Sequence, residues 1–284
     1  MNDSEIFIVG ANGQLGKALK AKYPGAQSAD IDEMDITDAQ SVQNYDWQGI
    51  KIILNAAGYT NVDGAETAEG RVAAWKVNSS AVANLVKVAI KNDMTLVHVS
   101  TDYIFDGTQD PHTEDEPFSP LGVYSQSKAA GDIAASLAPK YYILRTSWVI
   151  GDGPNFVRTM LGLGAKGVAP TVVADQVGRL TFTSELVKAI DHILSTHSPS
   201  GTYNVSNSGE PASWAEITSE IFKQAGYDLV VTDTTTEEYF SSKTGIAPRP
   251  LKSTLALDKL QATGFTSTDW KDDLADYIKK EASL

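Results

Sequence analysis

A short apolar run, IFIV, leads directly into GANGQLG at residues 10–16 and then into a helical pattern over 14–23. That order of strand, glycine loop and helix restricts the fold more than any other stretch. Gly10 permits a tight turn, Gly13 lets the backbone approach a pyrophosphate, and Gly16 lets the helix pack close on the strand. Free N–H groups at a helix start also attract phosphate. Alone, such a loop is a weak signal, because turns without any ligand use glycine in the same way. Here it follows a strand, opens a helix, and is succeeded by a second strand ending in an acid, Asp30. Gly10, Gly13, Gly16 and Asp30 are therefore predicted to cradle a dinucleotide.

The first half of the chain keeps this rhythm. Apolar runs at 5–10, 26–30, 51–55, 95–100 and 141–146 read as buried strands. Between them, 14–23, 37–45, 70–92 and 125–137 carry apolar residues at helical spacing. The alternation predicts an α/β fold, a doubly wound, Rossmann-like parallel sheet with helices on both faces. After about residue 147 the rhythm loosens into loop-rich stretches, followed by an amphipathic helix at 213–226 whose SWAE start is a capping box. Residues 1–147 read as a dinucleotide-binding domain, to which about 179–199 return, and 148–284 mainly as a smaller α/β substrate-binding part.

At 284 residues and 42% hydrophobic, the chain can bury a full core, as one large domain or two smaller ones. A net charge of −13, with basic residues scattered singly, argues against a nucleic acid polymer or an anionic membrane as partner. A small anion stays open, because one or two arginines suffice to hold it. Without cysteine there is no disulfide, thiol nucleophile or thiolate metal site. No signal peptide is visible and no apolar run approaches ~18 residues, so a cytoplasmic protein is expected. His98, His112, His192 and His197 lack metal-ligand spacing and read as solvated or packing groups, so no metal is expected.

VYSQSKAAGD at 123–132 places Tyr124 and Lys128 one helical turn apart on one face. A lone pair of this kind is usually a solvated surface pair. Two further loops change that reading. NAAGYTNVD (55–63) follows the third strand, and its small residues at 56–58 let the chain pass close beneath a cofactor. STDYIFDG (100–107) follows the fourth. Ligands of doubly wound sheets sit at the carboxyl ends of the strands, so these loops and the glycine loop converge on one crevice containing Thr101. Hydride addition to a ketone requires a proton at the oxygen. A phenol of pKa ~10 matches neutral pH poorly, and the Lys128 ammonium is expected to lower it. Thr101 can donate a hydrogen bond to the same oxygen. Together Thr101, Tyr124 and Lys128 resemble the triad of the short-chain dehydrogenases/reductases.

Nearly the whole chain resembles the dTDP-4-dehydrorhamnose reductases, extended short-chain reductases that make dTDP-L-rhamnose for cell-surface polysaccharide. GANGQLG, NAAGYTNVDGAE, VSTDYIFDG, VYSQSKAAGD, VVADQVGRLT and RPLKSTLALDKLQATGF carry the resemblance, and the run RTSWVIGDGPNFVRTML at 145–161 is more particular to the family. The resemblance implies reduction of dTDP-4-dehydro-L-rhamnose with NADPH or NADH, and catalytic roles for Thr101, Tyr124 and Lys128. It places Gly13, Gln14, Leu15, Asp30, Asp35, Ile36, Ala57, Gly58, Tyr59 and Val99 around the dinucleotide, along with Tyr124 and Lys128. Thr101, Asp102, Tyr103, Phe105 and Trp148 would line the sugar pocket, with Asn155 as a further substrate contact. Arg249, between two prolines, is a candidate for the nucleotide diphosphate, whereas Arg145, Arg158 and Arg179 read as structural ion pairs.

Departures from the family pattern are few. Ser125, Gln126, Ser127 and Asp132 vary a common YGxTKxxGE pattern without removing chemistry. GKALKAK lacks the acid through which some members bridge a dimer with metal, so a monomer or weak dimer is expected. Ala174 and Leu180 replace an asparagine and a proline, changes expected to alter the pocket's shape. Trp214 reads as packing, and TEDEPF (113–118) as a solvated acidic turn.

Two other readings share features. A nucleotide-sugar dehydratase or epimerase shares the fold and the Tyr-Lys pair, but dehydratases follow the threonine with Asp-Glu, and Tyr103 stands at the glutamate position. The regulatory subunit of methionine adenosyltransferase resembles this family yet need not keep a triad. On cofactor choice, Asp30 suits a ribose 2′-hydroxyl and repels a 2′-phosphate. Asp32, Glu33 and Asp35 add negative charge, and no cation lies between Tyr23 and Lys51. NADH is thus expected to serve at least as well as NADPH, although the family is usually described with NADPH.

Overall fold

The computed structural model describes residues 2–282. β1 (Ile6–Val9) is buried along its whole length, with Ile6 and Ile8 on one face and Phe7 and Val9 on the other. A strand buried on both faces belongs inside a parallel sheet. The other expected strands join it there: β2 (Gln27–Ala29), β3 (Ile52–Asn55), β4 (Thr95–Thr101) and β5 (Lys140–Thr146). A sixth strand, Gly201–Asn204, extends the sheet beyond β5, and every pairing is parallel. This strand escapes the sequence pattern because it is short and half polar. The spatial order is β2-β1-β3-β4-β5 and then Gly201–Asn204, so the direction of winding reverses between β1 and β3. A ligand crevice is expected at that reversal.

Helices cover both faces. In chain order the α-helices as far as Ala225 are α1 (Gln14–Lys22), α2 (Ala39–Asn44), α3 (Ala68–Trp75), α4 (Ala81–Lys91) and α5 (Val123–Ala135), then α6 (Phe156–Ala165), α7 (Thr183–Ser195) and α8 (Trp214–Ala225), of which α6 and α8 lie in the second part and not on the sheet. α2, α4 and α5 pack on Phe7, Val9, Ile53 and Leu96, whereas α1 and α7 pack on Ile6, Ile8, Leu54 and Val97. The stretch after residue 147, read from sequence as mostly loop, contains α6, α7 and a closing helix, Trp270–Glu281. Glycines mask α6, and one is there for packing: a Cβ on Gly164 would enter the Tyr227 ring. α8 has the expected capping box, in which Ser213 N donates to Glu216 Oε2 at 2.7 Å and Glu216 N to Ser213 Oγ at 3.2 Å. Ile150, Val157, Leu180, Phe222, Trp270 and Leu274 form a separate core for this second part. No helix among the described residues is long and apolar enough to cross a membrane.

Two departures from the expected helices shape the site. The single helix expected at 70–92 is broken into α3 and α4 by a π-helical turn, Lys76–Ser80. That wider turn brings the Asn78 carbonyl against α5, where only a glycine fits: a Cβ on Gly131 would strike it. α5 also starts at Val123, two residues earlier than expected, which moves Tyr124 into its first turn. Gly122 caps it without a side chain, and Glu66 substitutes by accepting from Val123 N at 2.8 Å.

Gly131→Ala is expected to destabilise the fold by roughly 1–3 kcal/mol, the cost of overpacking a tight contact. Urea denaturation should show the midpoint falling with the slope unchanged. An unchanged midpoint would show that α5 has room to move away from the π turn.

Candidate active site

The loops after β1 and β3 touch at Gly10, which sits at φ +76°. A Cβ there would lie 2.6 Å from the Ala57 nitrogen, so glycine is required. A Cβ on Gly16 would strike the Gly10 carbonyl, so this contact also needs glycine. Gly13 caps α1, and no side chain bonds the amides at that helix start. The Asp30 carboxylate closes the loop, accepting from Asn12 N and Ile31 N, both at 2.8 Å. Beside it opens a crevice of about 340 Å³ lined by Gly10, Gly13, Asp30, Asp35, Ile36, Ala57, Gly58 and Tyr59 among others, and by no lysine or arginine. An uncapped helix start suits a diphosphate, and the adjacent carboxylate suits a ribose hydroxyl, so these residues fit a dinucleotide.

Two expected dinucleotide neighbours point elsewhere. The Leu15 side chain is turned into the core beside Leu19. The Gln14 amide spans to the second part of the chain, with Oε1 accepting from Gly151 N at 2.8 Å and Nε2 donating to Pro154 O at 3.4 Å. Val99 contributes its carbonyl, which accepts from Lys128 Nζ at 2.7 Å.

Thr101, Tyr124 and Lys128 do come together. Thr101 ends β4, and its hydroxyl accepts from Tyr103 N at 3.2 Å. It also donates to Asp102 Oδ1 at 3.0 Å. Lys128 is only 5% exposed, and burial brings its pKa down to about 8 while Asp132 opposes the shift. Burial pushes the Tyr124 phenol upward, with Asp102 and Asp132 adding to the effect and Thr101 opposing it. The phenol is thus raised rather than lowered as expected, with desolvation the largest cause. Asp102 is buried as well, its carboxyl raised to about 6 by desolvation, and its Oδ2 has no hydrogen-bond partner among the described residues. Tyr103 packs edge-on to Tyr124 with ring centroids 6.0 Å apart.

Behind the triad lies a buried polar network that the sequence did not signal. Arg145 Nε donates to Asp132 Oδ2 at 3.1 Å, and Nη1 donates to Glu114 O at 2.8 Å. His98, kept neutral chiefly by burial, pairs through Nδ1 with Asn55 Nδ2 at 3.0 Å. Asn78 clamps Tyr59, accepting from its N at 2.8 Å and donating to its carbonyl at 3.1 Å, and also donates to Ser127 Oγ at 3.0 Å. It thereby ties the Ala57–Gly58–Tyr59 loop to α5. An asparagine within the apolar pattern of 70–92 was the one available hint.

Several substrate-side expectations need correction. Phe105 is fully buried, stacked on His112 at 4.6 Å, so it cannot line an open pocket. Asn155 is the cap of α6: Oδ1 accepts from Arg158 N at 3.0 Å, and Nδ2 donates to Gly151 O, Gly153 O and the Tyr277 hydroxyl. Trp148 and Trp214 stack at 3.8 Å, and it is Trp214 that lines a slot of about 360 Å³ with Phe156, Met160, Val172, Phe240 and Arg249. Arg145 and Arg158 form the expected ion pairs, but Arg179 donates to the Gly209 and Leu255 carbonyls instead. Arg249 pairs with Asp63 at 2.8 Å. The acidic turn at 113–118 is not simply solvated, because Glu114 Oε1 accepts from Asn204 N at 2.9 Å and Glu116 from His112 at 2.8 Å.

A family model described as the RmlD substrate binding domain matches residues 4–283. The dTDP-4-dehydrorhamnose reductase of Aggregatibacter actinomycetemcomitans is 36% identical, over 94% of this chain and 96% of its own length. The crystal structure of a Clostridium acetobutylicum dTDP-4-dehydrorhamnose reductase superposes with a TM-score of 0.91 at 35% identity, over 98% of this chain and 99% of that one. The Bacillus anthracis dTDP-4-dehydrorhamnose reductase in complex with NADP superposes with a TM-score of 0.88 at 34% identity, over 97% of each chain.

Proposed function

The chain belongs to the dTDP-4-dehydrorhamnose reductase family, and on that premise we propose that it reduces the 4-keto group of dTDP-4-dehydro-L-rhamnose, using NADH or NADPH, to give dTDP-L-rhamnose. The observation that carries this reading is the group of Thr101, Tyr124 and Lys128 at the end of β4, the first and last buried and Tyr124 partly buried, beside a crevice fitted to a dinucleotide. With no acid in α1 to bridge two copies, it acts as a monomer or weak dimer.

The α1 start and Asp30 hold the dinucleotide, and Lys128 lies one turn from Tyr124 to meet the nicotinamide ribose. A reduced nicotinamide held there would supply the hydride that the keto carbon needs. Tyr124 donates its proton to the keto oxygen, which Thr101 holds by a hydrogen bond. At neutral pH the phenol is protonated, as delivery of a proton to the developing oxyanion requires. The Lys128 ammonium then stabilises the phenolate that remains. Asp102 offers its unpartnered oxygen to a sugar hydroxyl. Tyr103 supplies no carboxylate base for elimination, which weighs against a dehydratase. The nucleotide base lies in the slot beside Trp214 and its diphosphate reaches Arg249, a volume and lining suited to a nucleoside.

The direct test follows absorbance of the reduced nicotinamide with dTDP-4-dehydro-L-rhamnose. Turnover is expected, and Tyr124→Phe should lower it about 10²–10⁴-fold while leaving dinucleotide affinity unchanged. No oxidation by folded, cofactor-saturated protein would reject the reductase reading.

The Lys128 ammonium loses its proton as pH rises through about 8. kcat/KM should therefore be level below that pH and fall above it. A profile that stays flat up to pH ~10.4, where an ordinary lysine titrates, would remove Lys128 from the mechanism.

Asp30 stands where a ribose 2′-substituent would lie, and no cation lines the crevice. NADH is expected to match or exceed NADPH in kcat/KM. A preference for NADPH above about tenfold, roughly 1.4 kcal/mol, would mean that a cation reaches the 2′-phosphate after all.

A further inference from the structure

The turn after β3 carries a carboxylate that the mechanism leaves unused. Asp63 accepts three hydrogen bonds from one short stretch far along the chain: from Ala247 N at 3.0 Å, and from Arg249 Nη2 at 2.8 Å and 2.9 Å. Arg249 Nη1 donates to the Ala247 carbonyl at 2.8 Å. Pro248 and Pro250 stiffen the same stretch, and the guanidinium lies 4.9 Å over the Phe240 ring. A guanidinium presents five N–H donors in a planar fork. Nη2 bonds both Asp63 oxygens and Nη1 bonds the Ala247 carbonyl, while Nε has no partner among the described residues.

We propose that Asp63 is a positioning residue for recognition of a nucleoside diphosphate: by fastening Ala247 and Arg249, it presents the remaining guanidinium donors at the slot, ready for phosphate oxygens. The proposal rests on the reading that Arg249 receives the diphosphate.

Two effects oppose each other here. The Asp63 charge repels an incoming anion, while its hydrogen bonds remove the disorder that a long side chain would otherwise lose on binding. Asp63 is 39% exposed and Arg249 17%, so the repulsion is screened by water. The three hydrogen bonds act directly on the backbone and the guanidinium, and the positioning effect prevails. Because a half-exposed ion pair contributes little to stability, the consequence appears in binding rather than in folding.

The test is calorimetric titration of the full chain with dTDP and, separately, with thymidine, which lacks the phosphates. Wild type, Asp63→Asn, Arg249→Gln and the double variant are compared, with NADH affinity and the urea midpoint measured on each. Asp63→Asn keeps the shape and one acceptor but loses the charge. It is expected to weaken dTDP about tenfold, to leave thymidine, NADH and the midpoint unchanged, and to add nothing in the Arg249→Gln background. Unchanged or tighter dTDP binding in Asp63→Asn overturns the proposal. So does an equal loss for dTDP and thymidine, or a loss that persists without Arg249, since either marks a merely structural role. If Arg249→Gln itself leaves dTDP binding unchanged, the diphosphate reading falls and the proposal with it. If Arg249→Gln weakens dTDP and Asp63→Asn does not, only the proposal falls.

Discussion

A buried ammonium governs the architecture of this site. Lys128 is 5% exposed, and its amine has one short hydrogen bond, to the Val99 carbonyl near the end of β4. An uncompensated charge at such depth is costly. Compensation comes from Asp132, one turn further along α5 on the same face, whose field opposes the fall of the lysine's pKa. Asp132 is itself buried and is held by Arg145 from β5. Taking one partner from a buried pair of this kind costs about 3–5 kcal/mol. The ion pair with β5 thus supports the charge indirectly, and the Lys128 charge adds to the burial that keeps His98 neutral.

The same desolvation acts on every titratable group nearby, and its signs are what make the site useful. It lowers Lys128 and raises Tyr124 and Asp102, because each shift disfavours a charged form. A phenol that resists ionisation keeps its proton until the substrate oxygen becomes the better base. The lysine, still cationic at neutral pH, is then already in place for the phenolate. No reorganisation of solvent is required, since the partners are fixed before substrate arrives. Thr101 is part of this fixity: β4 ends on it, and its hydroxyl donates to Asp102 Oδ1 and accepts from Tyr103 N.

What was legible in the sequence was local. The glycine loop, the strand-helix alternation, the capping box of α8 and the Tyr124–Lys128 spacing each depend on residues a few positions apart. What was missed depends on contacts between distant segments. Nothing in Glu66 announces that it caps α5, and nothing in Glu114 announces that it bonds Asn204 and Arg145. Phe105 and Asn155 show a different failure: resemblance transfers a position, not the direction of a side chain. The short 3-10 turn Asp102–Ile104 leaves Phe105 facing His112, and Asn155 is consumed by capping α6. The tryptophans exchanged roles for the same reason. Trp148 sits at φ +46° and stacks beneath Trp214, leaving the latter to face the slot.

Apolar packing joins the two parts of the chain, as where Leu255 meets Ile104 and Phe105, and some polar links between them begin beside the dinucleotide crevice. Gln14, directly behind the glycine loop, holds Gly151 and Pro154. Asp63, a few residues beyond the Ala57–Gly58–Tyr59 loop, holds Ala247 and Arg249. Lys17 in the first turns of α1 adds a partly exposed contact to Asp152 at 3.6 Å. Ordering either dinucleotide loop therefore bears directly on the segments that would face the sugar nucleotide. Residues adjoining the loops of the dinucleotide crevice thus anchor Gly151, Ala247 and Arg249 in the second part of the chain.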